Sequence, residues 1–265
     1  MNALRHFVAA IAFALAGFVT PAWSSSYSVD QSDLWWIPAE SGWGIQLVQR
    51  NSTIFATMFV YDPSGAATWY VATMNANSAS WNGDLYATRG PWFGTVPFNP
   101  GSVEVRKVGT MTWSPSGVNA GTLSYTVDGT LVTKSLQREF IAVDDFSGNY
   151  AGGLHQENTG CSDPTRNSAT EVPAVVVIIQ TGSSIDVGIG DINFNICQYS
   201  GTLSQAGQMG SIAGTFTCSD AEHGSFSISE LQVNPLGITG RYAANASVSH
   251  CAETGWFGAA RLTTF

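Results

Sequence analysis

Lysine is almost missing from this chain. Lys107 and Lys134 are the only two, and Lys and Arg together number 10 against 19 Asp and Glu, a formal net charge of −9. Nothing in that inventory would neutralise a run of phosphates, which argues against nucleic acid as a partner. Polybasic attraction to an anionic membrane is excluded on the same ground. Sustained helical periodicity is missing too, as are H-E-x-x-H, G-x-S-x-G and any glycine-rich phosphate loop leading into a helix. None of the four cysteines stands in a C-x-x-C pair, the usual sign of a zinc or redox centre. Beyond the amino terminus no apolar run approaches the roughly 18 residues of a membrane-spanning helix. The mature chain therefore reads as having no transmembrane segment.

What is present at the amino terminus is an export signal over residues 1–24. Arg5 and His6 precede the apolar run Phe7–Val19, and Ala22-Trp23-Ser24 places small residues at −3 and −1 of a cut. A thirteen-residue run spans about 20 Å as a helix, short of the about 30 Å of hydrocarbon. The expected location is secreted or periplasmic. Cys161, Cys197, Cys218 and Cys251 fit an oxidising compartment as two disulfides, with metal ligation the less common alternative.

After a short linker, residues 25–33, the chain reads as strands throughout. Runs rich in Val, Ile, Thr, Phe, Tyr and Trp alternate with clusters of Gly, Asn, Asp, Ser and Pro. Asp62-Pro63-Ser64-Gly65 has the chemistry of a type I turn, and Asp128-Gly129 that of a two-residue hairpin. Seven strands are predicted between Gly42 and Phe140 and eight between Ser147 and Leu262. Composition changes near Val143-Asp144-Asp145: seven of the nine Trp lie in 35–113, and all four Cys lie beyond 160. The fold class is all-β, two antiparallel meander barrels of the lipocalin or streptavidin kind: a Trp-rich barrel-like domain over 34–143 and an acidic, disulfide-containing barrel over 144–265. Glu40-Ser41-Gly42-Trp43 recurs as Glu253-Thr254-Gly255-Trp256, and Gly121-Thr122-Leu123-Ser124 as Gly201-Thr202-Leu203-Ser204; both matches raise the possibility of a duplication.

The segments Leu34-Trp35-Trp36-Ile37-Pro38-Ala39-Glu40-Ser41-Gly42-Trp43-Gly44, Ile54-Phe55-Ala56-Thr57, Gly83-Asp84-Leu85-Tyr86 and Val108-Gly109-Thr110-Met111-Thr112 carry a resemblance to an uncharacterised family of secreted bacterial β-proteins. Asn51-Ser52 departs from it, where the family often has a Gly-Asp turn. The resemblance implies export and β architecture and transfers no catalytic role.

Hairpin register places the cysteines. A turn near Ala206–Met209 pairs residues whose numbers sum to 415, so Cys197 faces Cys218. Cys161–Cys251 follows by elimination. Counting strand directions puts all four Cys at one end of the second barrel, together with His155, His223, His250, Glu157, Asp163, Asp220, Glu222 and Glu253. That end reads either as a stapled, solvated acidic rim or as a site for a metal or a cationic ligand, with His155, His223 and His250 as candidate ligands. Asp191-Ile192-Asn193-Phe194-Asn195 resembles the start of a calcium loop but lacks its Gly and its closing Glu, and reads as a polar strand face. The same count gathers aromatics at one end of the first barrel. Trp35, Trp36 and Trp92, with Glu40 and Arg89, are the candidate ligand-binding residues there, while Trp43 and Trp69 read as core. They form either a core plug or an aromatic pocket for a carbohydrate or a small apolar molecule.

The sequence reading is an exported, monomeric, non-enzymatic protein that binds a small neutral ligand or a cell-surface component, with no cofactor. A hydrolase working at one barrel rim and a structural envelope protein are the alternatives.

Overall fold

The computed structural model describes residues 29–191 and 196–262. The predicted export signal and the Ile192–Asn195 part of the calcium-loop-like segment lie outside them. From Gln31 onward the described residues belong to one compact unit. Its sixteen strands make two closed antiparallel barrels, each an up-and-down meander. No helix among the described residues is long and apolar enough to cross a membrane.

The first barrel is built from β1 (Asp33–Trp36), β2 (Gly44–Arg50), β3 (Thr53–Tyr61), β4 (Ala67–Asn77), β5 (Ser80–Arg89), β6 (Glu104–Pro115), β7 (Ala120–Val127) and β8 (Thr130–Arg138). Its turns obey their residues. Asp62 accepts hydrogen bonds from Ser64 and Ala66, and the Gly65 N–H closes the turn on the Asp62 carbonyl. Asp128 and Gly129 both take positive φ, as a tight hairpin of this length requires. β1 is the strand the sequence reading missed: Asp33–Trp36 pairs with β2 on one side and with β8 on the other, and so closes the barrel. Alternation then drives Trp35 inward, where it meets Trp113 edge-on at 4.6 Å between ring centroids. Trp35, Trp81 and Trp113 are the largest fully buried side chains among the described residues. They fill this barrel.

The second barrel comprises β9 (Gly148–Thr159), β10 (Ala169–Thr181), β11 (Ser184–Asp191), β12 (Ile196–Ala206), β13 (Met209–Cys218), β14 (His223–Asn234), β15 (Gly237–Ala246) and β16 (Ala252–Arg261). β9 pairs with both β10 and β16, which closes the ring. The β12–β13 register runs from Ala206↔Met209 to Cys197↔Cys218, as the hairpin arithmetic requires. Disulfides join Cys197 to Cys218 and Cys161 to Cys251. The recurring tetrapeptides do not occupy equivalent places. Gly121 is the second residue of the seventh strand of the first barrel, whereas Gly201 lies in the fourth strand of the second. They are no sign of duplication.

The barrels meet at a polar junction. Buried Arg138 pairs with Asp33 at 3.0 Å, donates to the Val118 and Ser32 carbonyls, and lays its guanidinium over the Trp35 ring. Asp33 also accepts the backbone N–H of Gln208 in the β12–β13 turn, and the Gln208 side chain bonds the Ser32 carbonyl. The connecting segment is pinned to the second barrel by Gln205 and Gln180, which bond Asp144 and Phe146. Phe146 then enters the second barrel as its floor, held by the Tyr150 hydroxyl on its carbonyl.

Candidate functional site

The two barrels have the same strand number but differ in what fills them. Inward positions of the second barrel carry Val, Ile and Leu together with Phe216, Phe226, Phe257, Tyr199 and Tyr242, where the first has three tryptophans. At the junction end the interior is sealed by Phe146, Tyr150, Ile185, Leu231 and Ile238, all buried. Towards the disulfide end, inward residues become partly accessible; along β16, Glu253, Gly255, Phe257 and Ala259 are all half-buried while their neighbours are exposed. The result is a cup with a cavity of about 310 Å³, at the lower end of the about 300–1,000 Å³ typical of small-molecule sites. Val176, Val187, Ile212, Phe216, Phe226 and Ile228 belong to its apolar wall.

Few polar groups reach the cavity, and they cluster towards the mouth: Gln156, Arg166, Tyr199, Asp220, Glu222, Tyr242 and Glu253. Glu222 is structural. Burial pushes its pKa up, but hydrogen bonds from Ser249, Val248 and His223 outweigh that and hold it down at about 2. In this way it clips the β13–β14 turn to the β15–β16 turn. Glu253 is different. Its carboxyl accepts no hydrogen bond among the described residues, and burial, then the nearby Glu222 charge, push its pKa up, with Arg166 pulling the other way. Burial followed by the Glu253 charge takes Tyr199 up to about 12, and the same two causes, with Tyr199, raise Tyr242. The Tyr242 hydroxyl is buried without a hydrogen-bond partner among the described residues. Gly255, directly opposite Tyr242 and two residues along β16 from Glu253, leaves room for the Tyr242 ring, which a Cβ would crowd. The wall is apolar, with one buried hydroxyl that lacks a partner among the described residues and one half-buried carboxyl.

The candidate rim of the first barrel has a different fate. Trp35 is 0% exposed, and its indole N–H is bonded to the Gln31 carbonyl, so this residue is core and not a ligand contact. Trp36 is half-buried and lies on the outward side of β1. The Glu40 carboxylate is occupied by Lys134 and by the Trp43 N–H. Arg89 is exposed at the end of β5, and Trp92 is 70% exposed on the following loop, packed on Phe93. No hydrogen bond, ion pair or ring contact among the described residues joins Trp36, Glu40, Arg89 and Trp92 to one another. Trp69, expected in the core, instead faces outward opposite Phe59.

Nor do the three histidines converge. His155 lies between inward Leu154 and Gln156, so strand alternation turns it out of the barrel. There it stacks on Trp256 at 3.9 Å and pairs with Glu171 at 2.6 Å, beside an outer groove lined by Glu157 and Arg241. His223 bonds the Ala221 carbonyl through Nδ1, and His250 sits in the turn before Cys251 with φ 55°. Among the described residues no three His, Cys, Asp or Glu gather to hold a metal ion.

Of the residues that do face the cavity mouth, Asp220, Glu222 and Glu253 were legible as an acidic end. Tyr199 and Tyr242 were missed, although parity with Cys197 on β12 and with Ala244 on β15 marks both as inward.

No protein-family model matches the chain, and no curated protein matches it. Among solved structures, it is similar to a "putative outer membrane protein" from Bacteroides fragilis at 11% identity, with a TM-score of 0.34 over 78% of this chain and 89% of that one.

Proposed function

We propose that this is an exported, non-enzymatic binding protein whose second barrel takes a small, mainly apolar molecule into its interior. The observation that carries the reading is the cavity of about 310 Å³, walled by apolar side chains that include Ile178 and Leu231. A barrel that served only as structure would gain by filling this space, because unfilled interior forfeits packing energy. The first barrel, filled by Trp35, Trp81 and Trp113, is the internal comparison. Two disulfides near the mouth and the signal-like amino terminus support an extracytoplasmic setting.

The test uses N-phenyl-1-naphthylamine, an uncharged dye that brightens in apolar surroundings. The wild-type protein is expected to give saturable fluorescence at one site. Ala174→Phe, which places a ring inside the cavity, should abolish the signal at a stability cost of about 1–3 kcal/mol from overpacking. Trp92→Ala, on the exposed loop, should leave it unchanged. No saturable response, or an unaltered titration in Ala174→Phe, contradicts the reading.

A further inference from the structure

Resting on that reading, we infer that the cavity selects a cationic head group, a primary ammonium on an apolar body, held by Glu253 between the rings of Tyr199 and Tyr242. Glu253 is the one carboxylate among the described residues that lines the cavity from a strand instead of a turn. Its side chain points into the barrel at the mouth, above the apolar wall. A half-buried carboxylate beside such a wall, with no hydrogen bond from the described residues, is left free to take a cationic partner. An ammonium brings three donors and no acceptor. The Glu253 carboxylate and the unpartnered Tyr242 hydroxyl supply two acceptors from adjacent strands, with Ala244 opposite Glu253 and Tyr242 one inward step further.

The surrounding rings fit the same guest. Tyr199 stacks on Phe216 at 5.3 Å and meets Phe226 edge-on at 5.0 Å, so aromatic faces line the cavity near the carboxylate. Ring faces attract cations, more strongly where water is excluded. The field at the mouth has the matching sign: Asp220, Glu222 and Glu253 against Arg166 alone. Arg166 offers the opposite choice, an anionic head such as a carboxylate. It is exposed on the β9–β10 loop, where solvent screens it, and an anion reaching the wall would have to pass three acids.

Calorimetric titration of the full protein at pH 7.5 with n-octylammonium chloride, 1-octanol and sodium octanoate separates these cases. The ammonium is expected to bind at least about tenfold more tightly than the alcohol, the scale of one charge-assisted hydrogen bond, and octanoate more weakly than either. Glu253→Gln should bring ammonium and alcohol to nearly equal affinity while leaving the alcohol unchanged, and Ala174→Phe should remove both. Alcohol or octanoate binding as tightly as the ammonium overturns the head-group assignment and leaves the apolar site standing. Heat from none of the three overturns both, and ammonium binding that persists in Ala174→Phe marks surface adsorption and also overturns the proposal.

Discussion

Glu222→Gln should destabilise the mouth of the second barrel in a way that vanishes in acid. The Glu222 carboxylate is 9% exposed and accepts N–H groups from His223, Val248 and Ser249. A glutamine offers one acceptor oxygen in place of two and turns an amide N–H₂ towards donors. The magnitude follows from linkage. A pKa of about 2 in the fold against an ordinary 4.5 corresponds to about 3 kcal/mol of stability, each tenfold being worth about 1.4 kcal/mol. Because the folded pKa is depressed, this contribution is complete above about 4.5 and is lost as the pH falls towards about 2. Urea unfolding of wild type and variant should therefore differ by about 2–3 kcal/mol at pH 7 and by less than about 1 kcal/mol at pH 2.5. An equal gap at both pH values would mean that the charge is not what holds the two turns together, and the clip would be refuted.

Two further outcomes follow from the barrels themselves. A polypeptide spanning 144–265 carries its own floor residue, Phe146, and both disulfides. It should fold alone with dispersed amide NMR signals, and a collapsed spectrum with both disulfides intact would make the Asp33–Gln208 junction part of one shared core. Gly121→Ala should destabilise the first barrel by about 1–3 kcal/mol, since a Cβ there would overlap the Trp113 ring; an unchanged thermal midpoint would show that Trp113 has room to move.

Strand alternation and turn chemistry made the meander, the closed second barrel and the cysteine register legible in the sequence, because a period of two fixes which residues share a face. β1 was hidden by its shortness: Asp33–Trp36 is four residues long and its aromatics resembled a rim. Trp35, counted as part of that rim, is instead core. Tryptophan density in part measured the volume needed to fill the first barrel: Trp35, Trp81 and Trp113 are buried, while Trp69 and Trp92 are exposed. The cavity could not be read at all. Parity says that Val187, Ile212 and Phe226 point inward, but whether their volumes sum to a filled interior depends on barrel radius and on where Phe146 seats, which are tertiary quantities. The acidic mouth was visible by counting strand directions, yet the difference between clipped Glu222 and unsatisfied Glu253 rests on turn backbone N–H groups that no spacing rule reveals.

The most direct test of the account is a methyl NMR titration of the isoleucine-labelled protein with N-phenyl-1-naphthylamine. Ile178, Ile189, Ile212 and Ile228 line the cavity, whereas Ile45 and Ile54 lie in the core of the first barrel and Ile179 faces outward on β10. Saturable shifts confined to the first four are the predicted result. Shifts at Ile45, Ile54 or Ile179 in their place, or no shifts at saturating dye, would contradict a ligand site inside the second barrel.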